Sequence, residues 1–308
     1  MSYRIIDTHS HLWEELRGEV EGYPVRSLGG GRATFYGGIK QMMPPYMTDG
    51  RNTVEMFLSN MDYAGVSGAV VTQEYIDGEQ NGYLLSVKQK YPQRFKICGL
   101  AEFREPGFLP QVEKLIEQGF DGIKIPAQRL VPLPERVYLT NPEMMQCFAL
   151  MEKNNVILSI DLAEGDAQTG EMEEVIQAHP GLKVAIGHFG MANRPKWKNQ
   201  IQLARYENVR IESGGITWLY HNEFYPYRGA VRAIKEAAEM VGMEKLMWGS
   251  DYPRTMTAIT YKMSFDFVAA TEELTSKEKA LFLGENAFQF YGFCELPGAE
   301  AIKNMVED

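Results

Sequence analysis

Sulfur and imidazole are scarce in this chain, which has three cysteines and five histidines among 308 residues. Cys98, Cys147 and Cys294 are far apart and odd in number, which excludes a disulfide framework and any closely spaced cysteine metal site. A reducing compartment fits that usage. Positive charge is also in deficit, with 31 Lys and Arg against 41 Asp and Glu and a net charge of −10. Nucleic acid and anionic membrane surfaces attract the opposite sign, so neither is an expected partner, and a small-molecule substrate is. No apolar run approaches the roughly 18 residues of a membrane span. The opening Met-Ser-Tyr-Arg-Ile-Ile-Asp lacks a signal peptide's apolar core, so the expected location is cytoplasmic. Solenoid-type repeats are missing as well.

What remains is a balance of 44% hydrophobic and 23% charged residues, that of an ordinary soluble globular chain. Short β-branched runs alternate with longer segments of helical period, the pattern of βα units around a parallel sheet. Strands are predicted at 4–7, 68–73, 95–101, 122–126, 156–161, 183–187, 208–212 and 245–249. Eight such units predict an α/β fold of the (β/α)8 TIM-barrel type, as a single domain over residues 1–308. Helices are predicted near 79–91, 107–118, 170–179, 226–241 and 276–290. Two more starts are marked by Asn52-Thr53-Val54-Glu55, read as a capping box, and by Asn141-Pro142-Glu143. Residues 12–50, rich in Gly, Pro, Tyr and Met, are too long for an ordinary βα loop and are expected to lie over the barrel mouth.

Three strand ends carry polar groups. In Asp7-Thr8-His9-Ser10-His11, the two-residue spacing of an extended chain points both imidazoles the same way. Gly187-His188-Phe189-Gly190 ends the sixth strand, and Trp248-Gly249-Ser250-Asp251-Tyr252-Pro253 ends the eighth. In a barrel all carboxyl ends gather at one face, so His9, His11, His188 and Asp251 would meet there as nitrogen and oxygen ligands of a divalent ion. Taken alone, Asp251 has a helix-capping acid as its plainer alternative, and the histidine pair a hydrogen-bonded couple.

These segments, with Leu283-Gly284-Glu285-Asn286-Ala287 before Phe290-Tyr291-Gly292, resemble the amidohydrolase-related family of the amidohydrolase superfamily, over residues 5 to about 293. That family includes aminocarboxymuconate-semialdehyde and resorcylate-type decarboxylases and lactonases. The resemblance implies one divalent metal ion, zinc first and manganese second, on His9 and His11. It also implies Asp251 as ligand or water activator and His188 as ligand or acid/base group. Many relatives end the fifth strand with histidine, where this chain has Asp161, a candidate ligand that would harden the site towards manganese.

Further candidates are substrate contacts. Lys124 ends the fourth strand, where it would pair with an acid or with a substrate carboxylate. Arg129, Arg194 and Arg254 follow strands and could grip a carboxylate, with surface salt bridges as the plainer alternative. Trp13, Tyr36, Tyr46, Trp218 and Tyr252 would form an aromatic wall or pack a lid. Glu74, Glu102 and Glu212 orient ligands, bind substrate or cap helices. His179 reads as a last-turn helix residue and His221 as an exposed loop residue. The expected function is metal-dependent hydrolysis of a small carboxylated lactone, amide or ester, by a homo-oligomer, a dimer. The alternatives are nonoxidative decarboxylation at the same site and a non-catalytic barrel serving as a binding module.

Overall fold

A computed structural model of the chain describes residues 3–298 and 305. Eight strands form one parallel sheet in sequential order: β1 (Ile6–His11), β2 (Gly68–Thr72), β3 (Phe95–Leu100), β4 (Gly122–Ile125), β5 (Ile157–Ile160), β6 (Val184–Ile186), β7 (Val209–Glu212) and β8 (Leu246–Met247). Bonds from Thr8 N to Trp248 O (3.0 Å), from Asp251 N to His9 O (2.8 Å) and from His11 N to Tyr252 O (2.8 Å) join the last strand back to the first. The result is the TIM barrel that the alternation predicts.

Strand β1 runs further than its apolar residues suggest. Thr8, His9, Ser10 and His11 are all buried, and a register shift between Asp7 and Ser10 keeps the polar end paired with β2. Hydrophobicity marks where a strand enters a core, whereas ladder bonds decide where it stops. The closing segment is likewise split. A π-helical turn, Leu281–Glu285, precedes the helix Asn286–Tyr291. Gly284 lies so close to the first strand that a Cβ there would sit 2.1 Å from the Arg4 carbonyl oxygen. Asn286 donates to the Met243 and Leu246 carbonyls, both at 2.8 Å. Phe290, Tyr291 and Phe293 then pack with Ile6, Val70, Cys98, Ile157, Ala185 and Met247 as the lower barrel core.

The predicted capping box at 52–55 is corrected by the structure. Thr53 is the N-cap of the helix Val54–Ala64 and its side chain accepts no cap bond. Asn52, one residue too early to cap, donates from Nδ2 to the His11 carbonyl oxygen at 2.5 Å. A true box occurs at Thr275 and Glu278. Asn141 with Pro142 does start the helix Pro142–Lys153.

Residues 12–50 hold more structure than a loop. Glu19–Val20 pairs with Tyr23–Pro24, and Ser27–Gly29, Arg32–Phe35 and Gly38–Gln41 form an antiparallel sheet. This insertion reaches the carboxyl side of the barrel. Arg129, after β4, approaches the Tyr36 hydroxyl at 3.4 Å, and the Tyr46 hydroxyl approaches Met256 Sδ at 3.9 Å. Among the described residues, no helix is long and apolar enough to cross a membrane.

Candidate active site

Because β1 is extended, His9 and His11 project into the barrel together, with their Nε2 atoms 3.2 Å apart. Each ring is held from behind by a carboxylate. Glu212 Oε1 lies 2.6 Å from His9 Nδ1, and Asp77 Oδ2 lies 2.8 Å from His11 Nδ1. Carboxylates accept, so each Nδ1 donates and its Nε2 is turned towards the cavity, the arrangement that orients metal-bound histidines elsewhere. Asp251 Oδ1 faces the same point, 3.3 Å from His11 Nε2 and 4.0 Å from His9 Nε2. On the other side of His9, the His188 ring stands 4.7 Å away, centroid to centroid, and its Nε2 is 3.5 Å from Asp161 Oδ2. His9, His11 and Asp251 form one group, and His9, Asp161 and His188 a second. In each group the candidate ligand atoms lie within 4.8 Å of one another.

Charge explains what this cluster lacks. Asp77, Asp161, Glu212 and Asp251 bring four negative charges, and Lys124 and Arg254 bring two positive, a formal balance of −2 with neutral imidazoles. Positive charge is attracted accordingly. Burial opposes a proton on His11, yet Asp77 outweighs it and the pKa rises. Burial likewise opposes charge on His188, and Asp161 still lifts it to about 9. His9, dominated by burial and then by Lys124, moves well below its ordinary value and stays a neutral donor of its Nε2 lone pair. Burial pushes Glu212 up to about 7. Against its own burial, Asp77 is pulled down to about 2 by Arg254 and His11. A neutral His9 imidazole beside His11 and Asp251, in a cluster where four carboxylates face one lysine and one arginine, fits one divalent cation.

Backbone strain and missing side chains make room for the cluster. His188 and Asp251 have φ of 57° and 58°, in the left-handed region that costs a non-glycine residue about 1–3 kcal/mol. A Cβ on Gly187 would lie 2.0 Å from Asp161 Oδ1, and one on Gly249 2.7 Å from Glu212 Oε2. Gly187→Ala is therefore expected to destabilise the fold by about 1–3 kcal/mol through overpacking. Thermal unfolding measures that shift, and an unchanged midpoint would mean Asp161 can move aside.

The other predicted residues divide. Lys124 is fully buried and puts Nζ 2.6 Å from Asp161 Oδ1, so it meets an acid of the chain itself. Arg254 binds Asp77 and stands 3.9 Å from Asp251 Oδ1. Arg129 is paired with Glu74 at 2.9 Å beside the mouth. Tyr252 and Trp13 are corrected as mouth-lining aromatics. Tyr252 is buried, pairs with Ser10 of β1 and stacks on Phe57 at 4.3 Å. Trp13 is buried too and donates to the Gly50 carbonyl at 2.9 Å, which anchors the insertion. Arg194 and Glu164 form an exposed pair, Glu102 binds Arg104, and His179 and His221 lie outside the cluster. One participant escaped the sequence, Asp77, whose only signal was an acid five residues past the end of β2. Trp218, expected in an aromatic wall, donates its indole N–H to Asp251 Oδ2 at 3.1 Å.

The profile of the family described as Amidohydrolase matches residues 6–293. The chain belongs to the amidohydrolase family. Membership makes it an enzyme of hydrolase type. Among solved structures, a probable 2-pyrone-4,6-dicarboxylic acid hydrolase from Acinetobacter baumannii with citric acid bound aligns with TM-score 0.68 and 21% identity. That match covers 94% of this chain and all (100%) of the other. A zinc-bound amidohydrolase from Burkholderia multivorans aligns with TM-score 0.69 and 16% identity, over 96% and 100% of the two chains. A 5-carboxyvanillate decarboxylase from Novosphingobium aromaticivorans, complexed with manganese, aligns with TM-score 0.56 and 18% identity, over 77% and 79%. No curated protein matches the chain.

Proposed function

We propose that this amidohydrolase is a metal-dependent hydrolase of a small carboxylated lactone, ester or amide. The observation that carries the reading is the meeting of His9 Nε2, His11 Nε2 and Asp251 Oδ1 at 3.2 to 4.0 Å inside a buried cluster rich in carboxylates. His9, His11 and Asp251 would hold the ion, with Asp161 and His188 beside it. Zinc is the first expectation and manganese the second. A bound divalent ion supplies Lewis acidity, polarising a carbonyl and acidifying water. Asp251 accepts the proton of the attacking water. His188, whose Nδ1 donates to the Gly214 carbonyl at 2.8 Å, keeps Nε2 on the cavity side and returns a proton to the leaving group. Arg254, 21% exposed, has N–H groups beyond those spent on Asp77 that suit a substrate carboxylate. The insertion's contacts to Arg129 and Met256 support a role in walling the mouth.

A second reading, nonoxidative decarboxylation by the same groups, is supported by the buried Asp161, whose oxygen donor favours manganese, and by the manganese-bound decarboxylase of the same fold. Elemental analysis of the purified protein, with a screen of lactones, esters and aromatic acids with and without chelator, tests both. We expect about one divalent ion per chain and turnover that chelation abolishes and zinc or manganese restores. Undiminished turnover by metal-free protein would overturn the metal reading, and carbon dioxide release without hydrolysis would select the second.

A further inference from the structure

The segment that ends β7 and follows it, residues 212–218, contributes none of the five candidate ligands, yet it touches three of them. Glu212 holds His9 Nδ1 at 2.6 Å, the Gly214 carbonyl accepts from His188 Nδ1 at 2.8 Å, and the Trp218 indole donates to Asp251 Oδ2 at 3.1 Å. Two glycines make this possible. A Cβ on Gly214 would lie 3.0 Å from the His9 ring. One on Gly215, where φ is 69°, would lie 1.9 Å from Trp218 Nε1 and 2.9 Å from Asp251 Cβ. The backbone thus passes directly under the site before the turn Ile216–Leu219 carries the indole back over Asp251. The segment is also tied to the strand that bears Asp251, through Ser213 N to Met247 O at 2.9 Å and Gly249 N to Ser213 Oγ at 3.0 Å.

An aspartate carboxylate has a broad terminal torsion, so its plane turns unless a partner fixes it. Trp218 is that partner: an N–H on one oxygen fixes the plane so that the other faces His9 and His11. We propose that residues 212–218 are the positioning element of the site. Trp218 is the positioning residue that holds the plane of the Asp251 carboxylate so that one oxygen faces the ligand histidines. The inference rests on the metal-site reading given above.

Trp218→Phe keeps an aromatic ring and removes the donor. The test is Mn²⁺ affinity of wild-type and variant protein, measured by competition with a chromophoric chelator. Affinity is expected to fall about 10- to 100-fold, the usual effect of removing a group that orients a ligand. On any substrate the wild type turns over, kcat should fall about 10-fold with KM within about twofold. Trp218→His, which retains a ring N–H, should fall between the two. Wild-type Mn²⁺ affinity in Trp218→Phe, or a lower thermal midpoint with unchanged affinity, would overturn the inference alone. Failure of the wild type to bind Mn²⁺ or Zn²⁺ at all would remove the metal-site reading and this inference with it.

Discussion

Asp251→Asn is expected to lower kcat by about 10²- to 10⁴-fold, the range for losing a positioned proton acceptor. The reasoning starts from the backbone. Asp251 has φ 58°, a region that asparagine tolerates better than most residues, so the substitution keeps the local turn. Its amide oxygen can still accept from the Trp218 indole that Asp251 Oδ2 meets at 3.1 Å. What disappears is the negative charge 3.3 Å from His11 Nε2 and the basicity that takes a proton from water. The metal-free thermal midpoint should stay within about 3 °C of wild type. Metal affinity should weaken, because a charged ligand oxygen has been replaced by a neutral one. A variant with near wild-type turnover would show Asp251 to be a structural residue and would shift the proton acceptor to His188 or Asp161.

Lys124→Met should unfold the protein far more easily while leaving its hydrophobic volume almost unchanged. Lys124 is fully buried with Nζ 2.6 Å from Asp161 Oδ1, and Asp161 is equally enclosed. Burial alone would raise the Asp161 pKa, and Lys124 first, then His188, carry it well below the ordinary carboxylate value instead. Removing one partner of such a pair strands the other charge and costs about 3–5 kcal/mol. For a chain of this size the midpoint should fall on the order of 10 °C. The double variant Lys124→Met with Asp161→Leu should recover much of that loss, because no buried charge is then left alone. If the single variant melts within about 2 °C of wild type, His188 suffices as the counter-charge and Lys124 has another role.

The barrel was legible because its strands are buried on both faces and therefore read as short apolar runs between amphipathic helices. The strand-end histidines and Asp251 were legible as candidate ligands from the common direction of the strands, and the family resemblance reinforced them. Period-two alternation also made one part of the site readable, since His9 and His11 must share a side wherever β1 points. Tyr252, expected in an aromatic wall, packs on Phe57 instead, because the chain has left the strand and turns at Asp251, where φ is 58°. Sequence gave no register for polar pairing either, and the boundary of β1 was set too early because its last four residues are polar though buried.

The sequence by itself determined the order of elements, the class of fold and the end of the barrel at which histidines and carboxylates collect. These follow from local periodicity and from the common direction of parallel strands. Only the tertiary structure decided which acid serves which base: Glu212 meets His9 across 203 positions, Asp77 meets His11 across 66, and Trp218 meets Asp251 across 33. Such pairings depend on strand stagger around the closed ring and on the turns that follow each strand, quantities fixed by packing of the whole barrel rather than by any local stretch of chain.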